Sequence, residues 1–283
     1  MYDLLFTGAR VVDGTGNPWF WADVAVQGDK VVAIGKVEGR ARREVRAAGR
    51  LLTPGFIDAH SHSDASLLVD PAAESKVRQG VTTEVIGNCG FSLAPLTGAA
   101  RHLVAQEVQE LELELAWSSL GAYLAALRRK GTAVNVVPLV GQGTVRRCVL
   151  GEEDRKPTPE ELVEMSRLVE QALAEGAHGL STGLVYPPGC FSATEELIAL
   201  CRPVRQAGGI YASHVRDEGD ELVEAVGEAI EIGVKAGLPV HLSHHKAAGP
   251  TNWGQVGVTL RMLEEARSKG QEVTCDVYPY TAS

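Results

Sequence analysis

The stretch Phe56 to Asp64, FIDAHSHSD, closes a short apolar run on two histidines one residue apart. On an extended segment, side chains two residues apart point to the same side, so His60 and His62 can reach one ion. An H-x-H pair is equally at home as two polar residues where a strand surfaces, and the surrounding fold has to separate the readings.

Outward from that stretch, residues 51–283 alternate short strand-like runs with longer amphipathic segments. The runs are LLTPGFIDAH (51–60), VTTEVIGN (81–88), VNVVPLVG (134–141), AHGLSTGLV (177–185), GIYASHV (209–215), LPVHLSHH (238–245) and EVTCDVYP (272–279). That rhythm calls for a parallel α/β architecture. No Gly-rich dinucleotide turn follows any run, which favours a (β/α)8 TIM-type barrel over an open doubly wound sheet. An eighth strand is expected after YPYTAS, where the sequence stops, so the barrel reads as truncated after its seventh strand.

Thr158-Pro159-Glu160-Glu161 supplies an N-cap, a proline at the first helical position and an acid three residues after the cap. It predicts a helix to about Glu175 that stops near Gly176. Residues 194–209 and 220–237 have the same form, acids first and glycine last, with Pro203 as an interruption in the former. Residues 1–50 carry short alternating runs broken by Gly, Asp and Asn-Pro, which predict a small antiparallel β unit without a helix. Two domains are expected, 1–50 and 51–283.

At 45% hydrophobic and 22% charged residues over 283 positions, the chain can bury a large core. A net charge of −9 opposes a basic groove for nucleic acid and points to a small-molecule partner. No run approaches the roughly 18 apolar residues of a membrane span. The N-terminus has neither the basic start nor the cleavage site of a secretory signal. Cys89, Cys148, Cys190, Cys201 and Cys275 are odd in number and scattered, unlike a disulfide framework, and fit a reducing cytoplasm.

In a barrel, residues at the C-terminal ends of the strands converge on one mouth. Four of the eight histidines close strand-like runs: His60, His62, His214 and His244. Their agreement in position favours a metal site. Cys89, in the Gly-rich turn after the second run, reads as a small buried residue or, at this mouth, as a zinc thiolate. His245 must point away from its neighbour His244 if the segment is extended. His241, His178 and His102 read as satisfied core or surface residues.

Taken in order, GFIDAHSHSD, GVTTEVIGNCGFSLAP, GLSTGLVYPPG, YASHVRDEGD, LSHHKAAGPTNWG and CDVYPYTA resemble the metal-dependent amidohydrolase superfamily, and within it the N-acyl-D-amino-acid deacylases, or D-aminoacylases. The resemblance runs the length of the chain and covers the N-terminal portion of a member. It implies a barrel with a small N-terminal β-sandwich segment. It also implies zinc held tightly by Cys89, His214 and His244, with His60 and His62 bordering a second, weaker position. Lys246 and Tyr186 match substrate-binding residues, and Tyr278, rather than Tyr280, matches the tyrosine that polarises the scissile carbonyl. The implied reaction is hydrolysis of N-acyl-D-amino acids by attack of metal-bound hydroxide. The catalytic aspartate is expected beyond Ser283, so the chain by itself is expected to be inactive. Gln142 stands where the family is expected to carry histidine.

An amino-acid substrate brings a carboxylate, for which Lys246 and Arg216 are the cations near the mouth. Arg216 is followed by Asp217 and Glu218 and is equally placed for a surface ion pair. Cyclic-amide hydrolases of the dihydroorotase and hydantoinase type share the barrel, but use a carboxylated lysine from the fourth strand, and GAHGLSTGLV has none. A zinc-binding fragment without activity and a closed structural zinc site are the other readings; the latter normally has four protein ligands.

Overall fold

The computed structural model describes residues 1–280. Thr281 and Ala282, which end the CDVYPYTA motif, and Ser283 lie outside the described residues. The chain separates after Phe56 into two compact units.

The first unit contains Tyr2–Val11 (β1), Phe20–Gln27 (β2), Lys30–Gly35 (β3), Ala41–Arg46 (β4) and Leu51–Leu52 (β5) in one sheet. The alternating runs build the antiparallel pairs β1/β2 and β2/β3. The expectation of a wholly antiparallel unit is corrected by β4 and β5, which both run parallel to β1. The cause is a crossover. Residues 36–40 return across the sheet, where the Val37 N–H meets Asp23 and the Glu38 carbonyl accepts from the Tyr2 hydroxyl, so β4 enters beside β1 in the same direction. A core of Ala9, Val11, Ala22, Val24 and Ala47 lies against this sheet.

In the second unit, Phe56–Asp58 (β6), Val81–Ile86 (β7), Asn135–Pro138 (β8), Val140–Gly141 (β9), Gly179–Gly183 (β10), Ile210–His214 (β11), Val240–Leu242 (β12) and Val273–Cys275 (β13) follow the expected runs. They form the series β6-β7-β8 and β9-β10-β11-β12-β13. The pairs β7/β8 and β9/β10 through β12/β13 are parallel. Leu139 alone separates β8 from β9; its N–H donates to the Ile86 carbonyl at 2.8 Å, while the His178 N–H donates to Pro138 at 2.8 Å. The third run is therefore one strand with a break, and spatial order equals chain order throughout.

Nine helices fill the intervals among the described residues: Ser66–Val69 (α1), Glu74–Val77 (α2), Ala100–Glu107 (α3), Leu120–Lys130 (α4), Gln142–Val149 (α5), Pro159–Ala174 (α6), Thr194–Gln206 (α7), Leu222–Ala236 (α8) and Val256–Ser268 (α9). Their apolar faces, such as Met165, Leu168 and Val169 of α6 and Leu197, Leu200 and Val204 of α7, join one core with Leu180, Tyr211 and Val240 of the strands. The capping box forms as expected. Thr158 accepts from the Glu161 N–H, and the Glu161 carboxylate accepts from the Thr158 N–H. Such a cap contributes about 1 kcal/mol. The α7 helix continues through Pro203, which falls in its last turn, close to where the backbone must leave helical geometry anyway. His60 Nδ1, just after β6, lies 3.1 Å from Asp276 Oδ2, just after β13.

Candidate metal centre

The strand ends of the second unit line a cavity of about 730 Å³, whose walls include His60, His62, Cys89, Tyr186, His214, Glu218, His244, Lys246 and Tyr278. Two groups of side chains in it have ligand atoms within 4.8 Å of one another, Cys89 with His214 and His244, and Cys89 with His60 and His62. Cys89 belongs to both. Its Sγ is 3.4 Å from His60 Nε2 and 3.6 Å from His244 Nε2. His60 Nε2 lies 3.3 Å from His62 Nε2, and the rings of His214 and His244 stand edge to face at 4.4 Å.

Several strands fix this geometry. The Cys89 turn rests on β10: the Gly90 N–H donates to Ser181 Oγ at 3.0 Å, and Ser181 in turn donates to the Gly87 carbonyl. A Cβ on Gly183 would collide with the Cys89 carbonyl oxygen, so only glycine permits this approach. Asn88 ties the turn to the histidine pair by donating to the Ser61 carbonyl at 3.2 Å. Cys89 and His244 both adopt left-handed backbone conformations, φ +53° and +37°. Non-glycine residues there carry strain that surrounding structure must hold, as is common at functional sites.

The donor set fits a soft divalent cation. His214 Nδ1 is buried without a hydrogen-bond partner among the described residues, so no other contact competes for that nitrogen. Burial, with His244 beside it, lowers the His214 imidazole to about 4, so it is neutral and ready to ligate at pH 7. Burial, followed by the charges of Asp276 and Glu218, pushes the Cys89 thiol up to about 12. The thiol is therefore protonated at neutral pH until a cation displaces the proton. Zinc uptake at pH 7 should release about one proton more from the wild type than from Cys89→Ala, and affinity should rise with pH. Calorimetric titration in buffers of different ionisation enthalpy measures this; equal release from both proteins would exclude the thiolate.

Two carboxylates at the site went unread in the sequence. Asp276 accepts from the His244 N–H at 2.5 Å and meets His60 Nδ1 at 3.1 Å and His241 Nε2 at 2.8 Å. Burial alone would raise its carboxyl, but the contacts from His241, His60 and the His244 backbone hold it well below the usual carboxylate range. His241 is thus a satisfied residue, as expected, but one satisfied by the site. Glu218 Oε1 lies 2.8 Å from His244 Nδ1 and 2.6 Å from Lys246 Nζ. Burial opposes ionisation there too, yet His244 and Lys246 carry Glu218 down to about 2. Asp276 directly follows a strand, so the positional rule that found the histidines could have found it.

The remaining candidates divide. Tyr186 packs its ring 4.9 Å from His214; Tyr278 lies 6.2 Å from His244, with Lys246 Nζ 5.2 Å above its own ring. Tyr280 is exposed and does not line the cavity. His245 bonds Thr259 Oγ1 at 2.8 Å, turned from His244 as expected. His102 is exposed, and His178 meets the Gly176 carbonyl. Arg216 is a correction: it does not line the cavity and pairs with neither Asp217 nor Glu218. Its guanidinium holds Glu228 of α8 at 2.9 Å and donates to the carbonyls of Cys190 and Ser192. The strand ends at His214, so Arg216 lies in the loop beyond it, where its position is set by Glu228. The aspartate expected past Ser283 lies outside the described residues.

The sequence profile of the amidohydrolase family matches residues 43–266. The chain belongs to this family. Among amidohydrolases it is 42% identical over 282 residues to a D-aminoacylase of Alcaligenes xylosoxydans xylosoxydans, covering 99% of this chain and 58% of that one. An N-acyl-D-aspartate deacylase of the same organism is 42% identical over 286 residues, covering 99% of this chain and 56% of the other. The chain thus spans somewhat more than half the length of these relatives. Among solved structures, a D-aminoacylase superposes with a TM-score of 0.93 at 42% identity, over 100% of this chain and 60% of that one. An N-acyl-D-glutamate deacylase from Bordetella bronchiseptica, complexed with zinc and a phosphonate mimic of the tetrahedral intermediate, superposes with a TM-score of 0.91 at 37% identity, covering 99% and 59%. An L-hydantoinase from Arthrobacter aurescens shares the fold at a TM-score of 0.63 and 19% identity, over 99% and 59%.

Proposed function

We propose that this amidohydrolase belongs to a zinc-dependent enzyme that hydrolyses the amide bond of N-acyl-D-amino acids. The observation that carries the reading is the meeting of Cys89, His214 and His244 at the ends of separate parallel strands, with a buried His214 nitrogen unpartnered among the described residues. These three would hold zinc tightly, and His60 and His62, sharing Cys89, would border a weaker second position. Bound zinc supplies Lewis acidity and lowers the pKa of a coordinated water towards 7. Around it, Lys246 receives the substrate α-carboxylate and Tyr186 packs the cavity wall. The Tyr278 hydroxyl stabilises charge developing on the scissile carbonyl. Arg216 has no part in this scheme, since Glu228 holds it.

A cyclic-amide hydrolase of the hydantoinase type is disfavoured because β10, Gly179–Gly183, carries no lysine to bridge metals, whereas Cys89 reaches both ligand groups. We read the strand series of the second unit as a barrel of the (β/α)8 type, and residues 1–56, which include β5 beside β1, as a small β domain of sandwich type. Five cysteines, all free, suit a reducing cytoplasm. Preference for the D enantiomer comes from the names of the relatives.

The test uses the zinc-loaded whole enzyme, before and after chelation, and follows amine release from N-acetyl-D-leucine and N-acetyl-L-leucine and, for dihydrouracil, loss of the ring absorbance, since its opening gives a ureido acid and no free amine. Chelator-sensitive release from the D substrate is expected of the whole enzyme, and none from residues 1–283 alone. Hydrolysis of dihydrouracil or of the L substrate alone would overturn the reading.

A further inference from the structure

We infer that Glu218 is a positioning residue that couples the metal ligand His244 to the substrate-binding lysine Lys246 through one carboxylate oxygen. The inference rests on the functional reading of those two residues and assigns Glu218 a role that neither the sequence motifs nor that reading supplies.

Three atoms form the link. Glu218 Oε1 lies 2.8 Å from His244 Nδ1 and 2.6 Å from Lys246 Nζ, and those two nitrogens are themselves 3.1 Å apart. An ammonium has only donors, and an imidazole nitrogen is either donor or acceptor according to tautomer. If His244 carried its proton on Nε2, Nδ1 would accept from Lys246, and the contact with Glu218 would oppose two lone pairs at 2.8 Å. With the proton on Nδ1, both His244 and Lys246 donate to the same carboxylate oxygen, and the anion screens the two donors from each other. Only this second arrangement satisfies the close pair of contacts to Glu218.

The consequence falls on the other side of the ring. Nε2 is the atom facing Cys89 Sγ at 3.6 Å, and a proton on Nδ1 leaves its lone pair free for a cation. A carboxylate behind a ligating histidine fixes tautomer and ring orientation in this way. Lys246 is held by the same oxygen, and its ammonium also donates to the His244 carbonyl at 3.3 Å and stands over the Tyr278 ring. A substrate carboxylate that draws Lys246 towards itself therefore leaves more of the Glu218 charge to His244. Glu218, Lys246 and His244 are all mostly shielded from water, so the exchange is not screened away.

The test compares Glu218→Ala, Glu218→Gln and Lys246→Met with the wild type. One readout is the tautomer of His244, from long-range ¹H–¹⁵N spectra of metal-free protein; the other is zinc affinity by chelator competition. The wild type should show the proton on Nδ1. Glu218→Ala should lose that preference and weaken zinc by roughly 10- to 100-fold. Glu218→Gln, which restores one acceptor oxygen in the same shape, should fall between. Lys246→Met, which leaves the whole Glu218 charge to His244, should keep the proton on Nδ1 and bind zinc more tightly than the wild type, separating the coupling from general damage. An unchanged His244 tautomer and zinc affinity in both Glu218 variants overturns the inference, as does a loss in Lys246→Met equal to that in Glu218→Ala. Neither readout uses hydrolysis, so a whole enzyme that shows the expected pattern but releases no D-amino acid would sink the functional reading and leave the positioning role standing.

Discussion

Replacing Cys89 with alanine should leave the protein folded and strip it of zinc. The thiol is the one ligand candidate common to both clusters, so its removal leaves two histidines on either side of the gap. Zinc sites of four protein ligands are worth roughly 10–16 kcal/mol, or about 3 kcal/mol per ligand, which is on the order of a hundredfold in affinity. The backbone should tolerate the change: alanine meets the same cost at φ +53° as cysteine, and the hydrogen bonds that hold the turn come from Gly90, Ser181 and Asn88. The measurement is zinc per chain by elemental analysis on protein purified without added metal, with circular dichroism to confirm folding. Near-stoichiometric zinc in the wild type and little in Cys89→Ala is the expected result. Zinc retained unchanged by the variant would reduce Cys89 to a buried core residue and remove the basis for the whole centre.

The histidines were legible because two simple periodicities coincide at them. A strand exposes its end residues to one mouth, and His60, His62, His214 and His244 each terminate an apolar run. Glu218 was not legible, since it follows the strand end by four residues in a loop whose path is set by tertiary contacts. Its neighbours suggested an ion pair with Arg216 that the structure does not make. Arg216 itself is captured by Glu228, twelve residues away on α8, and no local pattern announces such a pairing. The parallel placement of β4 beside β1 was hidden for a related reason. Alternation identifies a strand and its buried face, while partner and direction are decided by a crossover whose residues carry no period. Pro203 argued against continuity of α7, but a local preference worth a few kcal/mol yields when Leu197, Leu200, Cys201 and Val204 are all buried around it.

Gln142 leads to the second large effect. It begins α5 immediately after β9, and its Nε2 donates to Ser192 Oγ at 2.7 Å and to Glu196 Oε1 at 3.1 Å. Glu196 also accepts from Ser192 at 3.0 Å and pairs with Arg146 Nη1 at 2.7 Å, while Arg146 donates further to the Arg155 carbonyl. Both charged side chains are essentially inaccessible, 0% and 3% exposed. Glutamine at this position donates into a buried polar network that joins α5 to the start of α7. Removing one partner of such a pair leaves the other charge buried and uncompensated, a loss of about 3–5 kcal/mol, whereas replacing both with apolar groups of similar volume is often nearly neutral. Arg146→Met and Glu196→Leu should each lower the melting temperature by about 10 °C, given roughly 2–4 °C per kcal/mol at this size. The double variant should recover much of that loss, which a differential scanning calorimetry cycle of the four proteins would resolve. Additive losses in the double variant would mean that the two side chains stabilise the protein through packing with their separate neighbours rather than through each other. If the coupling is found, zinc content should follow it. Thr144 of the same helix accepts from the Ser92 N–H at 3.0 Å and donates its own N–H to the Gly90 carbonyl at 3.2 Å, so a displaced α5 loosens the turn that presents Cys89.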